Sequence, residues 1–216
     1  MKPTFNTISG QGIKLVSLEL DSFGYFARSM EDLELIRNVF SVTADGPVKK
    51  PPLREAKVGF LKTPFWPSAG PGTTAAMEKA ARILGNHGVR IEDVEFPKEF
   101  DDATALKRMF KVILTVEART SFFKEYLMDT TETKLDPEIR AFVENASSIP
   151  REEVRRACDR FAALRPVFDE IAAKYSALVT PSAADEAPLG IDDMGDAIFN
   201  FVWTVRRLEL SSITEG

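Results

Sequence analysis

The stretch that decides the fold lies at positions 57–96 and reads KVGFLKTPFWPSAGPGTTAAMEKAARILGNHGVRIEDVEF. Its first five residues are a short apolar run that indicates a buried β-strand, and residues 89–96 indicate a second strand. Between them, a proline-rich loop precedes a helical pattern that begins at Thr73 or Thr74 and ends before Gly88. A strand, a helix and a strand in such close succession form a βαβ unit. The sequence therefore predicts a parallel strand pair and an α/β fold.

The rest of the chain is predicted to be mainly helical. Residues 1–28 indicate loops, and Ser29 is a predicted N-cap because two acidic residues follow it in the first helical turn. The pattern predicts further helices over 103–128, 135–145, 151–174 and 196–206, and a third strand over 178–181. The predicted fold class is therefore α/β with long helices between the strands.

The composition argues against several classes of function. The chain has 216 residues, with 28 Lys plus Arg against 33 Asp plus Glu and a net charge of -5, which argues against nucleic-acid binding. No apolar run is long enough to span a membrane, and the first residues lack the apolar core of a signal peptide, so we expect a cytoplasmic protein. With one cysteine and one histidine, the chain alone cannot form an intramolecular disulfide or a Cys/His zinc site. We expect no metal and no cofactor.

Three stretches, in order along the chain, carry family-like motifs. The first is Lys2-Pro3-Thr4 with a serine and glycines after it, and the second is the run SLELDSFGYFARSMED at 17–32. The third is the run LVTP at 178–181, followed further on by Asn200 and Trp203-Thr204. Together these motifs resemble the amidase signature family of hydrolases, which includes the A subunits of amidotransferases and fungal amidases. The resemblance spans most of residues 2–205.

The resemblance implies an α/β/α sandwich with a mixed sheet, of which this chain would form the middle and C-terminal part. It also implies amide hydrolysis by a lysine and two serines, all of which lie ahead of the lysine-proline-threonine motif in the family. No residue of this sequence matches those positions, and Lys2 belongs to the later motif. We therefore expect a partial domain over 1–205 that lacks the N-terminal catalytic region, a divergent tail over 206–216, and no catalytic residue in the chain.

Six residues are the candidate site residues. Asp21 and Arg28, with Gly24 between them, form the structural motif, and we interpret the charged pair as a salt bridge or hydrogen-bond brace. Phe65 and Trp66 lie in the loop after the first strand, at the end of the sheet where α/β folds place ligands. The alternatives left open are that these aromatic rings line an apolar acyl pocket or that they cap the core. The resemblance adds Trp203 to the substrate-pocket candidates.

Three functional hypotheses follow from the sequence. The first is a truncated amidase-type hydrolase that meets a small amide substrate only when its missing part completes it. The second is a pseudoenzyme that acts as a binding or regulatory partner, for which a homodimer is one expected form. The third is a hydrolase of unfamiliar mechanism that uses His87 or Cys158, although a turn and a helix packing position explain these two residues better. Ser121 and Lys124 have the spacing of a serine-lysine pair, but they are predicted to lie in mid-helix.

Overall fold

The structure is a computed structural model that describes residues 1–42, 52–191 and 193–206. Within these ranges it contains six α-helices and three β-strands. The helices are α1 Met30–Val39, α2 Pro71–Asn86, α3 Ala103–Met128, α4 Pro137–Asn145, α5 Arg151–Ala172 and α6 Phe201–Arg206. The strands are β1 Lys57–Leu61, β2 Arg90–Val94 and β3 Ala177–Val179. In the described ranges, no helix is long and apolar enough to cross a membrane.

The strands form one parallel sheet in the order β2-β1-β3. Phe60 of the central strand β1 is paired with Asp93 of β2 on one side and with Val179 of β3 on the other. The predicted βαβ unit is confirmed as β1-α2-β2, and the α/β fold class is confirmed with it. An antiparallel strand, which the mixed sheet implied by the resemblance requires, is not among the described residues.

Glycine is required at position 59, in the middle of the central strand. A Cβ atom there would lie 2.6 Å from Cγ2 of Val94 and 2.7 Å from Cδ2 of Leu178, closer than carbon atoms pack. Side chains of both neighbouring strands therefore cover β1 at this point. The core beneath the sheet contains buried Val58 and Phe60, against which α2 packs its apolar face.

A polar cluster joins the three strands near their amino ends. The Lys57 ammonium of β1 lies 2.7 Å from the Glu92 carboxylate of β2. Tyr175, just before β3, donates a hydrogen bond of 3.5 Å to the same carboxylate, and Lys57 lies 4.6 Å from the centre of its ring. The hydrogen bond from Lys57 holds the pKa of Glu92 below its ordinary value.

The chain divides into two compact units. The sheet unit comprises 47–107 and 163–202, and the helical unit comprises 1–46, 108–162 and 203–216. Three of the divisions fall within α3, α5 and α6, and the remaining one, between 46 and 47, lies outside the described residues. Of the predicted tail, 206–216, only residue 206 is among the described residues.

Helix boundaries agree with the sequence where the signal is local. Ser29 caps α1, because its Oγ accepts a hydrogen bond of 3.1 Å from the backbone N–H of Asp32. Gly88 follows the end of α2 with a positive φ of 78°, a left-handed conformation that glycine adopts without strain. By contrast, α2 begins at Pro71, two or three residues before the predicted start.

The buried carboxylate of Asp129 organises the loop between α3 and α4 in the helical unit. Asp129 is 5% exposed and accepts hydrogen bonds from the backbone N–H groups of Thr133, Lys134 and Leu135. The Arg140 guanidinium of α4 lies 2.7 Å from the same carboxylate. The backbone hydrogen bond from Leu135, the others and Arg140 together lower the pKa of Asp129 from 3.8 to about 2.

The first prediction concerns the pH dependence that Asp129 gives to stability. Its folded-state pKa lies below its unfolded-state value, so ionised Asp129 stabilises the folded chain above pH 4 and loses this effect as the pH falls towards 2. Asp129→Asn should therefore lower the urea midpoint strongly at pH 6 and less at pH 3. The control Asp101→Asn changes an exposed loop carboxylate and should leave the midpoint unchanged. A constant difference between wild type and Asp129→Asn from pH 6 to pH 3 would contradict the assignment.

Candidate functional site

The first candidate site lies at the C-terminal ends of the parallel strands, which we call the carboxyl edge of the sheet, and it belongs to the sheet unit. Strands β1 and β3 end at Leu61 and Val179, and parallel neighbours end at the same edge. The loops 62–70 and 180–186 follow directly, and we name them the edge loops. Ligands of open α/β sheets bind in this position, because the loops diverge there and leave backbone and side-chain groups facing outward.

The edge loops are held against the first turn of α2. The backbone N–H of Gly70 donates to the carbonyl of Ala184 at 2.7 Å, and the Thr73 hydroxyl donates to the carbonyl of Ala183 at 3.0 Å. The backbone N–H of Gly72 donates to Oδ1 of Asp185 at 2.9 Å. The carboxylate of Asp185 thus lies where the partial positive charge of the helix N-terminus is greatest. Asp185 is at the same time an exposed residue of its loop.

Two threonine hydroxyls are the unexpected feature of this edge. Thr63 is 2% exposed, and the Oγ1 atoms of Thr63 and Thr180 are buried with no hydrogen-bond partner among the described residues. Both residues follow neighbouring strands, since Thr63 comes two positions after β1 and Thr180 directly after β3. A buried hydroxyl without a partner costs roughly 1–3 kcal/mol, so a polar group of a ligand or a water molecule would be stabilised there.

A sequence signal for these threonines exists, although the sequence-based predictions did not include it. Strands β1 and β3 are each followed by a Thr-Pro pair, Thr63-Pro64 after β1 and Thr180-Pro181 after β3. Proline has no N–H and so cannot continue a strand ladder. The repeated pair therefore marks two chain segments that stop pairing at the same edge, each with a hydroxyl directly before the stop.

The three aromatic pocket candidates have different environments. Phe65 is 2% exposed and packs edge-on against Phe201, with 6.1 Å between ring centres, so it is a core residue. Trp66 is half-buried, and the Lys62 ammonium lies 5.0 Å from the centre of its ring. Trp203 is 4% exposed and belongs to the helical unit. Of the two rings in the sheet unit, only Trp66 presents ring surface to a ligand, and the pocket role of all three stays a prediction.

The family-like motif at 17–32 forms a braced turn in the helical unit. Oδ2 of Asp21 accepts hydrogen bonds from the backbone N–H groups of Val16 at 2.7 Å and Ser17 at 3.2 Å. The Ser17 side chain is fully buried, and its hydroxyl donates to the carboxylate of Glu117 on α3. Two backbone donors and a helix contact therefore fix the turn.

The brace predicted for Asp21 exists, but its partner is different from the predicted one. Arg28 is exposed, and no ion pair joins it to Asp21, although both residues lie in the described part of the chain. The physical reason is local, because the Asp21 carboxylate reaches the backbone N–H groups four and five residues before it. Sequence spacing could identify the carboxylate as a brace but could not choose between a side chain and the backbone.

A pocket of about 490 Å³ lies beside the braced turn and is lined entirely by residues between Pro3 and Gly24. Asp21 and Gly24 line it together with Lys14, whereas Arg28 does not. The Lys14 side chain is fixed in position, because its ammonium donates to the carbonyl of Ser121 at 2.6 Å and to the carboxylate of Glu125 at 2.7 Å. The hydrogen bond from Lys14 lowers the pKa of Glu125.

Close packing against the first residue of the chain explains why glycine occupies position 24. A Cβ atom at Gly24 would lie 3.1 Å from the backbone carbonyl oxygen of Met1, which is tighter than ordinary packing. That same carbonyl accepts a hydrogen bond of 2.9 Å from the backbone N–H of Tyr25. Because Gly24 has no side chain, the first residues of the chain can lie directly against the turn. This contact also places Gly24 beside the pocket.

The remaining residues singled out by the sequence lie within helices or at a helix end. His87 lies at the C-terminus of α2, where its Nδ1 is 2.8 Å from the carbonyl oxygen of Ile83. Cys158 is a partly buried residue of α5, and Ser121 and Lys124 lie within α3. In the ranges that the structure covers, no group of three His, Cys, Asp or Glu residues is close enough to hold a metal ion.

Comparison with known proteins gives one family. The family model described as Amidase matches residues 1–203. A curated relative is the A subunit of the glutamyl-tRNA(Gln) amidotransferase from Carboxydothermus hydrogenoformans, which is 29% identical over 112 residues. That match covers 45% of this chain and 23% of the relative.

Solved structures agree in fold. A crystal structure of an amidase superposes with a TM-score of 0.79 at 15% identity, over 98% of this chain and 50% of that chain. The 6-aminohexanoate cyclic dimer hydrolase in complex with its substrate superposes with a TM-score of 0.69 at 19% identity, over 95% of this chain and 51% of that chain. The chain thus spans about half the length of these two solved structures.

The second prediction tests the contact between α2 and the edge loop. A Cβ atom at Gly70 would lie 1.9 Å from Oδ2 and 2.8 Å from Cβ of Asp185, so Gly70→Ala must displace that side chain from the helix N-terminus. We expect a loss of about 1–2 kcal/mol in the free energy of unfolding, measured in urea. The control Gly85→Ala lies in the same helix with open space around it and should be neutral or stabilising.

A double-mutant cycle completes that test. In an Asp185→Ala background the side chain that collides is gone, so Gly70→Ala should cost clearly less than it does in the wild type. Equal costs in the two backgrounds would mean that Asp185 is not the reason for glycine at position 70.

Proposed function

This chain belongs to the amidase family, and from that premise we propose that it supplies the substrate-binding half of an amide-bond hydrolase. The observation that carries the proposal is the fold match, in which 98% of this chain superposes on 50% of an amidase. Since these residues correspond to half of such a fold, the proposal assigns them part of a site. The question is which part of the chemistry its residues can perform.

The proposal gives this half a binding role and not a bond-breaking one. Amide hydrolysis needs an activated nucleophile, a base beside it and donors for the developing oxyanion. The lysine and two serines that the family resemblance implies have no matching residues in the sequence. Ser121 and Lys124 lie in the regular helix α3, whose backbone N–H groups are used within the helix. We therefore propose that the chain by itself does not hydrolyse amides.

The carboxyl edge of the sheet supports a substrate-binding role. The half-buried ring of Trp66 offers apolar surface to an acyl group, as aromatic residues do in most small-molecule sites. The buried hydroxyls of Thr63 and Thr180 offer hydrogen bonds to the polar atoms of an amide. Phe65 would form the wall behind Trp66. The pocket role of Trp203 is a separate proposal, in which its buried ring shapes a pocket without offering open ring surface to the ligand.

A pseudoenzyme with a binding or regulatory role is the second candidate function. Its support is the exposure of large apolar side chains in the sheet unit, where Leu189, Ile191 and Met194 are almost fully exposed on one loop. A homodimer is one form that this function would take. The cytosol is the compartment that we propose for either function, and a sequence with one cysteine, which cannot form an intramolecular disulfide, agrees with it.

The third prediction tests catalytic competence. The purified chain should hydrolyse neither a primary amide nor an anilide above the buffer rate, followed by release of ammonia or of the aniline. Hydrolysis that disappears in His87→Ala or Cys158→Ala would contradict the proposal and favour the unfamiliar mechanism. If the wild-type chain is inactive, the two variants serve as folding controls, since both should retain the thermal unfolding transition of the wild type.

The fourth prediction tests the binding role through the two tryptophans. In Trp203→Phe the remaining Trp66 is partly exposed, and an aromatic amide such as benzamide should quench its fluorescence in a saturable way. In the matched variant Trp66→Phe, buried Trp203 should respond several-fold less, because it is 4% exposed. Equal responses, or a response that rises linearly without saturation, would contradict a substrate role for Trp66.

A further inference from the structure

The pocket beside the braced turn has the size of a small-molecule site. Its volume of about 490 Å³ lies within the range of roughly 300–1,000 Å³ in which small molecules bind. Two hydrogen-bonded turns hold its wall in place. The backbone N–H of Thr7 donates to the carbonyl of Thr4 at 3.1 Å. The backbone N–H of Ile13 donates to the carbonyl of Gly10, also at 3.1 Å, so the wall depends on bonds within the chain itself.

One carboxylate of the lining has an oxygen without a protein partner. Asp21 lines the pocket, and its Oδ2 accepts the hydrogen bonds from the backbone N–H groups of Val16 and Ser17. Its other oxygen, Oδ1, has no hydrogen-bond or ion-pair partner in the part of the chain that the structure describes. A carboxylate oxygen accepts hydrogen bonds but cannot donate them when ionised. The pocket therefore offers a fixed, negatively charged acceptor to a ligand.

The positive charges near the pocket are engaged by other groups. Lys14 is the one basic side chain among the described residues that line the pocket, and its ammonium lies 2.7 Å from the Glu125 carboxylate. Lys2 is not part of the lining, and its ammonium donates to the carbonyl of Pro3 at 3.1 Å. Since the charge of Lys14 is compensated by Glu125, the charge of Asp21 decides which ligands the lining favours.

Two phenyl rings complete the environment. Phe5 and Phe23 line the pocket, together with the aliphatic side chains of Ile8 and Leu15. Phe23 is fixed, because it packs edge-on against Phe40 with 5.3 Å between ring centres. The faces of aromatic rings attract cations, and this attraction adds to that of a nearby carboxylate. A carboxylate and two aromatic rings in one largely apolar pocket are a combination that suits an organic cation.

We propose that this pocket binds a small organic monocation, of the class of a protonated primary amine with an apolar body. The ammonium group donates to Oδ1 of Asp21, and the apolar body lies against Phe5 and Phe23. This inference goes beyond the proposed function and does not rest on it. The lining residues belong to the helical unit, whereas the carboxyl edge of the sheet belongs to the sheet unit.

The experiment is an NMR titration of the full chain, labelled with ¹⁵N, against three ligands of similar size. Benzylamine is the cation, benzyl alcohol is its neutral counterpart and benzoate is the anion. The backbone N–H groups of Val16 and Ser17 serve as local reporters, because both donate to the Asp21 carboxylate. The dissociation constant of each ligand follows from the shift of these two signals with ligand concentration.

Two variants test the pocket. Asp21→Asn removes the negative charge and keeps an oxygen that accepts the backbone hydrogen bonds. Gly10→Phe fills the pocket with a ring, and a Cβ atom at Gly10 lies at an ordinary contact distance of 3.5 Å from Cδ1 of Leu15. The matched control is Asp101→Asn, which removes a carboxylate from an exposed loop. Circular dichroism melts would verify that every variant folds.

Saturable binding of benzylamine, roughly tenfold tighter than that of benzyl alcohol or benzoate, would support the proposal. The affinity for benzylamine should fall by about the same factor in Asp21→Asn and in Gly10→Phe and stay unchanged in Asp101→Asn. No saturable binding, equal or tighter binding of benzoate, or unchanged benzylamine binding in either test variant would overturn it. If Asp21→Asn does not fold, the ligand series and Gly10→Phe give the decision.

Discussion

The parallel pairing of β1 with both β2 and β3 is the constraint on which the rest of the structure depends. Parallel neighbours cannot be joined by a short turn, so every connection must cross back over the sheet. Helix α2 makes the first crossing, and the long segment that contains α3, α4 and α5 makes the second. The same geometry brings the ends of β1 and β3 to one edge, and Gly59 permits the close approach that holds the central strand between its neighbours.

Much of the fold was predictable because its signals are local. The βαβ unit, the Ser29 cap and the Gly88 stop each depend on residues within a few positions of one another, and all three are confirmed. The predicted start of α2 was two or three residues too late, because the contact that stabilises it is distant in the sequence. A Gly-Pro-Gly run indicates a loop, and the carboxylate that stabilises it as a first helical turn comes from Asp185, more than a hundred residues away.

The candidate site was less predictable from the sequence, because the burial of each side chain decides whether it can contact a ligand. Phe65 and Trp66 are adjacent aromatic residues in one loop, yet one is enclosed against Phe201 and the other is half-exposed. Sequence alone cannot separate them, since the difference arises from how the chain packs after β1. The buried hydroxyls of Thr63 and Thr180 depend in the same way on the register of two strands that are far apart in sequence. Asp21 was correctly identified as a brace, but its backbone partners required coordinates.

The contact between Asp185 and α2 has a consequence for the choice of ligand. A helix N-terminus attracts phosphates and carboxylates, and here the chain's own carboxylate already occupies the donor at Gly72. Because Asp185 belongs to the same chain, it competes with a free anion without the entropic cost of association. An anionic molecule in solution must displace this internal competitor, whereas a neutral one does not. At the N-terminus of α2, the chain's own carboxylate therefore disfavours a free anion.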